Sequence, residues 1–182
     1  KVHTEERVTA VTKDAGVFRV TTSKGEHRAR RVVLAMGRRG TPRKLGVPGE
    51  DEPTVVYRLV DPQQYRGKSV LVVGGGDSAL EAAIALAEEP DTTAWLSYRG
   101  NAFSRVKQKN RERLAALQEG KRLEVLLESK VTNVQRGQAT LDIGGQARKL
   151  AADYVIVCAG GVLPTPLLQS IGIQFETKFG RA

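Results

Sequence analysis

A glycine-rich segment, Gly74–Ala79, lies between an apolar run and a stretch of strong helix formers. The run Ser69–Val73 predicts a short strand that is covered on both faces. The stretch Asp77–Glu89 is apolar on nearly all sides and predicts a buried helix. A strand, a glycine-rich turn and a helix in this order are typical of the unit that binds the diphosphate of a dinucleotide, and a glycine-rich turn in an unrelated α/β protein is the alternative.

Each residue type in this segment suits the binding of a diphosphate. Gly74 permits the tight turn from strand to helix, and Gly76 lets phosphate groups approach the backbone. Ala79 keeps the helix close to the strand. The helix N-terminus offers free N–H groups and the positive end of the helix dipole, and Ser78 adds a hydroxyl donor. The predicted diphosphate-binding residues are Gly74, Gly75, Gly76, Asp77, Ser78 and Ala79.

The strand predicted next, Thr92–Tyr98, decides between the two nicotinamide dinucleotides. A site for NAD(H) normally has an Asp or Glu at the end of this strand, where the carboxylate binds the ribose 2′-hydroxyl. No carboxylate occurs between Asp91 and Glu112. Basic side chains after the strand can instead pair with a 2′-phosphate, so the segment favours NADP(H) over NAD(H), although the same charges also suit an exposed loop. The residues predicted to hold the adenosine 2′-phosphate are Ser97, Tyr98, Arg99, Arg105 and Lys107, and Tyr98 or Arg99 could stack on adenine.

Other catalytic chemistries lack a complete set of residues. Gly76–Leu80 resembles the turn that carries a serine nucleophile, but Leu80 replaces the second glycine that this turn requires. A serine nucleophile also needs a base, and the only histidines, His3 and His27, lie in an N-terminal stretch without a partner pattern. Two histidines and one cysteine argue against a metal centre. We therefore predict no serine hydrolase and no metal site, and we name no catalytic residue.

The composition is that of an ordinary globular domain. The chain has 182 residues, of which 40% are apolar, and no run approaches the roughly 18 apolar residues that span a bilayer, so no membrane segment is expected. The single cysteine, Cys158, excludes an intrachain disulfide, fits a reducing, cytoplasmic location and is expected to be a buried, inert thiol. The net charge of +9 would suit a basic nucleic-acid-binding domain. That alternative is less favoured, because no aromatic platform for bases accompanies the scattered basic residues.

The order of the apolar runs predicts an α/β fold. Arg7–Thr12, Val17–Thr22 and Arg31–Ala35 predict a β-meander. From Ser69 onward a β-α-β-α-β order predicts a parallel sheet. We expect a Rossmann-like, three-layer domain, with helices on both faces of a parallel central sheet, together with an antiparallel β-meander. The remaining predicted elements are a helical turn opened by Asp61 and Pro62, helices Val106–Leu117 and Thr165–Ile171, and strands Leu123–Leu127, Val131–Gln135, Ala139–Ile143 and Tyr154–Cys158.

Taken together, four ordered motifs resemble the NADPH domain of thioredoxin-reductase-like flavoproteins. These belong to the pyridine nucleotide–disulfide oxidoreductase superfamily, whose members carry two dinucleotide-binding domains. Two of the motifs resemble the crossovers that join those domains. In chain order the motifs are Ala35-Met36-Gly37 with Leu45–Glu50, Tyr65–Lys68 with Gly74–Ala79, Tyr98–Gly100 with Phe103–Arg105, and Cys158–Gly160 with Pro164.

The resemblance implies a domain organisation. In that superfamily the NADPH domain is inserted into an FAD domain, and the crossovers mark the junctions. Residues 1–36 would be a β-meander remnant of the FAD domain, residues 37–160 the NAD(P)-binding domain, and residues 161–182 the start of the returning FAD-domain segment. The family's FAD fingerprint is expected before Lys1 and its flavin motif after Ala182, so FAD is expected in the full-length parent and not in this chain. Ala159 and Gly160 would lie near the nicotinamide.

One departure from thioredoxin reductase bears on the mechanism. That enzyme has a redox C-x-x-C pair just before the segment equivalent to Tyr65–Lys68, and the matching positions here hold Tyr57 and Val60. A dithiol relay is thereby excluded, and the parent more closely resembles type-II ferredoxin–NADP reductases or bacillithiol-disulfide-reductase-like proteins. The resemblance implies that hydride passes from NADPH to FAD and on to an unidentified acceptor, with this chain inactive alone. The expected partners are a nicotinamide dinucleotide and the FAD domain of the same polypeptide. A homodimer and a nucleotide-sensing module without turnover stay open.

Overall fold

The structure, a computed structural model, describes residues 2–35, 41–162 and 165–174. The chain forms two compact units, one comprising residues 1–41 and 162–182 and the other residues 42–161. Met36, Gly37 and Pro164 of the predicted crossover motifs lie outside the described residues. Within the described part, no helix is long and apolar enough to cross a membrane.

The first unit contains a three-stranded antiparallel sheet. Its strands are β1 (Val8–Asp14), β2 (Val17–Thr22) and β3 (Glu26–Ala29), paired in the order β1-β2-β3. Ala15 and Gly16 connect β1 to β2 with φ values of 46° and 81°, as a two-residue hairpin turn of the primed type requires. The predictions for the first two strands are confirmed, with β1 shifted by one residue at its start and two at its end.

The third strand of this sheet corrects our prediction. We placed it at Arg31–Ala35, where the structure has no strand, whereas β3 lies closer to the turn. The N–H of Thr22 donates to the carbonyl oxygen of Gly25 over 2.8 Å, and this tight turn returns the chain onto β2 at once. The turn therefore sets the register of β3 against β2. The apolar run Arg31–Ala35, on which the prediction rested, is not covered, and Val33 within it is 88% exposed.

The elements that follow residue 40 alternate between strands and helices before an antiparallel stretch. In chain order they are β4 (Thr41–Pro42), β5 (Val55–Val56), a 3₁₀ helix (Pro62–Tyr65), β6 (Ser69–Val73), α1 (Asp77–Glu88), β7 (Thr93–Ser97), α2 (Gln108–Glu119), β8 (Leu123–Leu126), β9 (Ser129–Gln135), β10 (Gln138–Ile143), β11 (Gln146–Leu150), β12 (Tyr154–Val157), β13 (Gly161–Val162) and α3 (Thr165–Ser170). The helix α3 belongs to the first unit and contacts β1. Apart from β4, β5, β11 and β13, each of these elements was predicted to within about two residues.

Five strands of the second unit form a parallel sheet in the order β5-β12-β6-β7-β8. The central strand β6 is paired on both sides, and its residues Val70, Leu71 and Val72 are fully buried, as expected for a continuous apolar run covered on both faces. The chain leaves β6 toward β7 on one side and returns to β12 on the other. The order of strands therefore reverses at the carboxyl end of β6, which is where ligands bind in open α/β sheets.

Two different layers cover the parallel sheet. On one face Val72 belongs to a core cluster with Leu80 and Leu86 of α1 and Leu114 of α2. On the other face, Leu71 belongs to a cluster with residues of the antiparallel sheet β9–β11. The α/β class with a parallel sheet and antiparallel strands is thus confirmed. Our expectation of helices on both faces is corrected, because in the described residues β9–β11 cover the second face.

Candidate functional site

The turn between β6 and α1 is tight because the ends of β7 and β12 and the first turn of α1 all lie close to it. Gly74 has a φ of 152°, and its N–H donates to the carbonyl oxygen of Ser97 over 2.9 Å. A Cβ atom on Gly74 would overlap the carbonyl oxygen of Cys158 and lie 2.9 Å from the Cβ of Ala79. Only glycine fits this position, and the small Ala79, fully buried, lets α1 pack close to β6.

The N-terminus of α1 is open above this turn. Gly76 is the N-cap, with φ −104° and ψ 175°, and no side chain caps the helix. Both Gly76 and Ser78 are exposed, and a Cβ atom on Gly76 would meet no atom within 4 Å. The first N–H groups of a helix lack intrahelical partners and carry the positive end of the dipole. This end of α1 therefore has the room and the donors that a phosphate group requires.

An aromatic pair lies beside the turn. The ring of Tyr98 stacks on Phe103, with centroids 5.2 Å apart and planes inclined by 18°. A Cβ atom on Gly75 would overlap the Tyr98 ring, and one on Gly100 would lie 2.7 Å from its Cε1 atom. The two glycines thus give Tyr98 its place against the β6–α1 turn.

The structure corrects one predicted ligand contact. Ser97 is fully buried, and its Oγ lies 2.7 Å from the Oγ of Ser129, whose hydroxyl donates to the carbonyl oxygen of Leu126 over 2.6 Å. A hydroxyl held beneath the sheet edge in this way is not available to a phosphate. The sequence did not predict this burial, because Ser97 lies near the end of its predicted strand, where we expected an exposed side chain.

The segment from β7 to α2 carries the predicted basic residues. Arg99 and Arg105 are exposed, and neither side chain forms a hydrogen bond or an ion pair with the described part of the chain. Lys107 is the N-cap residue of α2, and its Nζ lies 3.9 Å from Oε1 of Glu81. The side chains of the two arginines are therefore available to bind an anion. The side chain of Lys107 is less available, because it already forms an ion pair with a carboxylate of α1.

Asp77 contacts protein groups at the start of α2. Its Oδ1 accepts from the N–H of Lys107 over 3.0 Å and from Nδ2 of Asn110 over 2.7 Å. The backbone hydrogen bond from Lys107, the side-chain bond from Asn110 and the nearby lysine charges lower the pKa of Asp77 below its usual value. Asn110 was not among the predicted site residues, although its spacing of four from Leu114, the other buried residue of α2, was a usable signal.

The residues after β12 lie at the same edge of the sheet. The N–H of Cys158 donates to the carbonyl oxygen of Val73 over 2.7 Å, and the carbonyl oxygen of Gly160 accepts from the N–H of Arg43 over 3.0 Å. Ala159 packs against the core cluster beneath β9–β11, whereas Gly160 is exposed. Burial raises the pKa of the Cys158 thiol to about 11, so this thiol is protonated at neutral pH.

The segment Leu45–Glu50 is held by a buried carboxylate. Glu50, 7% exposed, accepts from the N–H of Leu45, from the N–H of Gly46 over 2.7 Å and from the hydroxyl of Tyr57 over 2.7 Å. Burial would raise the pKa of Glu50, but these three donors outweigh it and lower the pKa. Burial and the bond to Glu50 raise the pKa of Tyr57 to about 12. Tyr57 therefore has a structural role here.

The chain is similar to several known proteins. A family model described as pyridine nucleotide-disulphide oxidoreductase matches residues 1–179. A ferredoxin–NADP reductase of Thermus thermophilus is 31% identical over 182 residues, which cover 94% of this chain and 54% of the relative. One of Ignicoccus hospitalis is 41% identical over 85 residues, covering 46% of this chain and 28% of the relative.

Solved structures show the same fold. A bacillithiol disulfide reductase of Staphylococcus aureus superimposes with a TM-score of 0.85 at 28% identity, over 98% of this chain and 55% of the other. A thioredoxin reductase of Lactococcus lactis, at 22% identity, gives a TM-score of 0.77 over 93% of this chain and 57% of the other, a likeness of fold alone. The chain spans about half the length of the Thermus thermophilus relative and of the Staphylococcus aureus structure, each of which matches it over nearly its whole length. The family match over residues 1–179 means that the chain belongs to the pyridine nucleotide-disulphide oxidoreductase family, a family of oxidoreductases.

Proposed function

We propose that this chain binds NADP(H) at the carboxyl end of β6. The observation that carries the proposal is the open, uncapped N-terminus of α1 at the point where the strand order reverses. The free N–H groups of Gly76, Asp77 and Ser78 would hold the diphosphate, with Gly74 and Gly75 shaping the turn beneath it. Because Gly76 is exposed and has no Cβ atom, the phosphates have room to approach its backbone.

We propose that the 2′-phosphate is selected by arginines that follow β7. Arg99 and Arg105 are exposed and unpaired within the described part of the chain, and a guanidinium group binds phosphate in a two-pronged geometry. The strand ends without the carboxylate that an NAD(H) site uses. Tyr98, stacked on Phe103 beside the turn, offers an aromatic face to the adenine.

In the full-length protein we propose that NADPH reduces FAD. When bound, NADPH would supply a hydride for the flavin of the parent, which would pass the two electrons to its acceptor. Residues of this chain bind and orient the nucleotide, with Ala159 and Gly160 near the nicotinamide and no side chain acting as acid or base. Residues 1–36 and 161–182 would belong to the flavin-binding part of the parent. Tyr57 and Val60 leave no dithiol for a relay through residues 57–60.

Calorimetric titration of the chain with NADP⁺ and NAD⁺ tests the binding. We expect NADP⁺ to bind at least about tenfold more tightly, since a charge-assisted hydrogen bond contributes about 1.5–3 kcal/mol. Arg99→Glu should weaken NADP⁺ at least about tenfold and change NAD⁺ less than about twofold. Arg136→Glu, the same charge change in the exposed β9–β10 turn, is the matched control and should alter neither. Equal losses for both nucleotides in Arg99→Glu would contradict the 2′-phosphate role, and a folded chain that binds neither at millimolar concentration would refute the site.

Turnover is tested on the full-length protein loaded with FAD. We expect NADPH to bleach the flavin absorbance under anaerobic conditions, with NADH much slower. A flavin-loaded, NADP(H)-binding parent that shows no bleaching would exclude hydride transfer and favour a nucleotide-sensing module.

A further inference from the structure

We propose that Asp77 is a positioning residue that selects NADP(H) by holding the basic segment, residues 99–107, in place. The inference rests on the proposed function and assigns the carboxylate of Asp77 a role separate from the contact that its backbone N–H would make with the diphosphate. Asp77 acts from the first turn of α1, and the segment it holds carries both free arginines.

The geometry ties one end of the basic segment to α1. A single oxygen, Oδ1 of Asp77, accepts both from the N–H of Lys107 and from Nδ2 of Asn110. Lys107 is the last residue of the segment and the N-cap of α2. The bond therefore fixes the point at which the segment becomes helix, 30 positions along the chain from Asp77.

A buried amide reinforces this link. Asn110 is 2% exposed, and its Nδ2 donates both to Asp77 and, over 3.1 Å, to Oε1 of Glu81 one turn further along α1. A buried amide that loses its partners is costly, so this pair of bonds favours one position of the first turn of α2 relative to α1.

The other end of the segment is anchored independently. The N–H of Tyr98 donates to the carbonyl oxygen of Leu126 over 2.9 Å, and the Tyr98 ring packs on Gly75 and Phe103. Both ends of the segment are therefore held in place. Arg99 and Arg105 lie between these two ends, beside the N-terminus of α1. Fixed ends reduce the conformational entropy that these arginines lose when they close on a phosphate.

The carboxylate of Asp77, unlike its backbone N–H, does not suit direct contact with a phosphate. Its lowered pKa keeps it anionic at neutral pH, and a carboxylate repels a diphosphate bound at the same helix end. Both bonds of its Oδ1 are made to protein donors. The presence of the Asp77 carboxylate beside the proposed diphosphate site is explained by its hydrogen bonds to Lys107 and Asn110.

Three variants of the full chain separate positioning from charge. Asp77→Ala removes the acceptor, Asp77→Asn keeps an amide oxygen that can accept the same bonds without the charge, and Asn110→Ala removes the second donor. Glu88→Ala is the matched control, because it breaks another α1–α2 link, the 2.5 Å ion pair with Arg113, at the far end of α1. Each variant is titrated with NADP⁺ and NAD⁺, and amide hydrogen exchange is followed in residues 99–107 and in β6.

Positioning predicts a loss of discrimination. In Asp77→Ala and Asn110→Ala the NADP⁺/NAD⁺ affinity ratio should fall at least about fivefold, and exchange in residues 99–107 should accelerate at least about tenfold while β6 stays protected. Asp77→Asn and Glu88→Ala should keep the ratio within about twofold of the wild-type value. An unchanged ratio in Asp77→Ala, an equal gain or loss for both nucleotides, or unaltered exchange in residues 99–107 would each overturn the inference.

The experiment also separates this inference from the proposed function. Wild-type chain that binds neither nucleotide refutes the proposed function and, with it, the selection of NADP(H) by Asp77. Wild-type chain that prefers NADP⁺, beside an Asp77→Ala variant with the same preference, leaves the function standing and overturns the inference alone.

Discussion

Gly74 lies so close to Cys158 that a Cβ atom on the glycine would overlap the carbonyl oxygen of the cysteine. The main chains of β6 and β12 therefore meet without space for a side chain where the order of strands reverses. Gly74→Ala should lower the free energy of unfolding by about 2 kcal/mol or more, because the φ of 152° and the overlap act together. Urea denaturation followed by circular dichroism measures the change, and a loss below about 0.5 kcal/mol would contradict the contact.

Gly76→Ala should separate binding from folding. A Cβ atom there meets no protein atom within 4 Å and the backbone is extended, so we expect stability to change by less than about 0.5 kcal/mol. On the proposed function, the methyl group keeps the diphosphate off the backbone and should weaken NADP⁺ and NAD⁺ alike, at least about tenfold. Calorimetry on the folded variant checks this, and unchanged affinity for both nucleotides would exclude diphosphate contact at Gly76.

Gly49→Ala should destabilise the second unit far more than Gly46→Ala. The two glycines have similar φ values, 78° and 72°, but a Cβ atom on Gly49 would overlap the carbonyl oxygen of Val134, whereas one on Gly46 meets no atom within 4 Å. We expect Gly46→Ala to cost about 1 kcal/mol from backbone strain alone, and Gly49→Ala at least about 2 kcal/mol more. Equal unfolding midpoints in urea would contradict the close approach to β9.

The first unit should lose stability in acid through Glu6. The hydroxyl of Thr22, 2.6 Å away, and the ring of His27, at 2.8 Å, lower the pKa of Glu6 to about 2. A carboxyl whose folded pKa lies below its value of 4.5 in the unfolded chain stabilises the fold above that value, and the stabilisation is lost as the pH falls toward 2. Hydrogen exchange in β1–β3 of wild type and Glu6→Gln should differ most at pH 5 and converge near pH 2. A difference that stays constant across this range would show that the ionised carboxylate is not the stabilising form.

The parallel sheet and its first helix were predictable because their sequence patterns are local. Ser69–Val73 is a continuous apolar run, and α1 is apolar on nearly every side, so periodicity and burial agree. The strand β11 was missed because its residues Gln146–Leu150 are mostly polar and exposed. Gly144 and Gly145, both at positive φ, form the hairpin turn before it and were the available signal.

The candidate site was predictable in its backbone and less so in its side chains. Glycine spacing locates the β6–α1 turn, because steric limits on φ and close packing demand glycine there. The burial of Ser97 and the bonds of Asp77 depend on Ser129 and Asn110, which lie about 30 positions further along the chain. Contacts at that separation leave no local pattern, so the sequence gives no direct measure of them.

The late arrival of β12 has a consequence for biosynthesis. The N–H of Ser69, at the start of β6, bonds to the carboxylate of Asp153 from a position 84 residues earlier in the chain. Until the ribosome has released β12, one side of the central strand β6 has no hydrogen-bonding neighbour and can pair with other nascent chains. Pairing over such a distance is also intrinsically slow. A chain whose translation stops before Tyr154 is thus a candidate for aggregation or for chaperone capture, even though most of its residues have already been made.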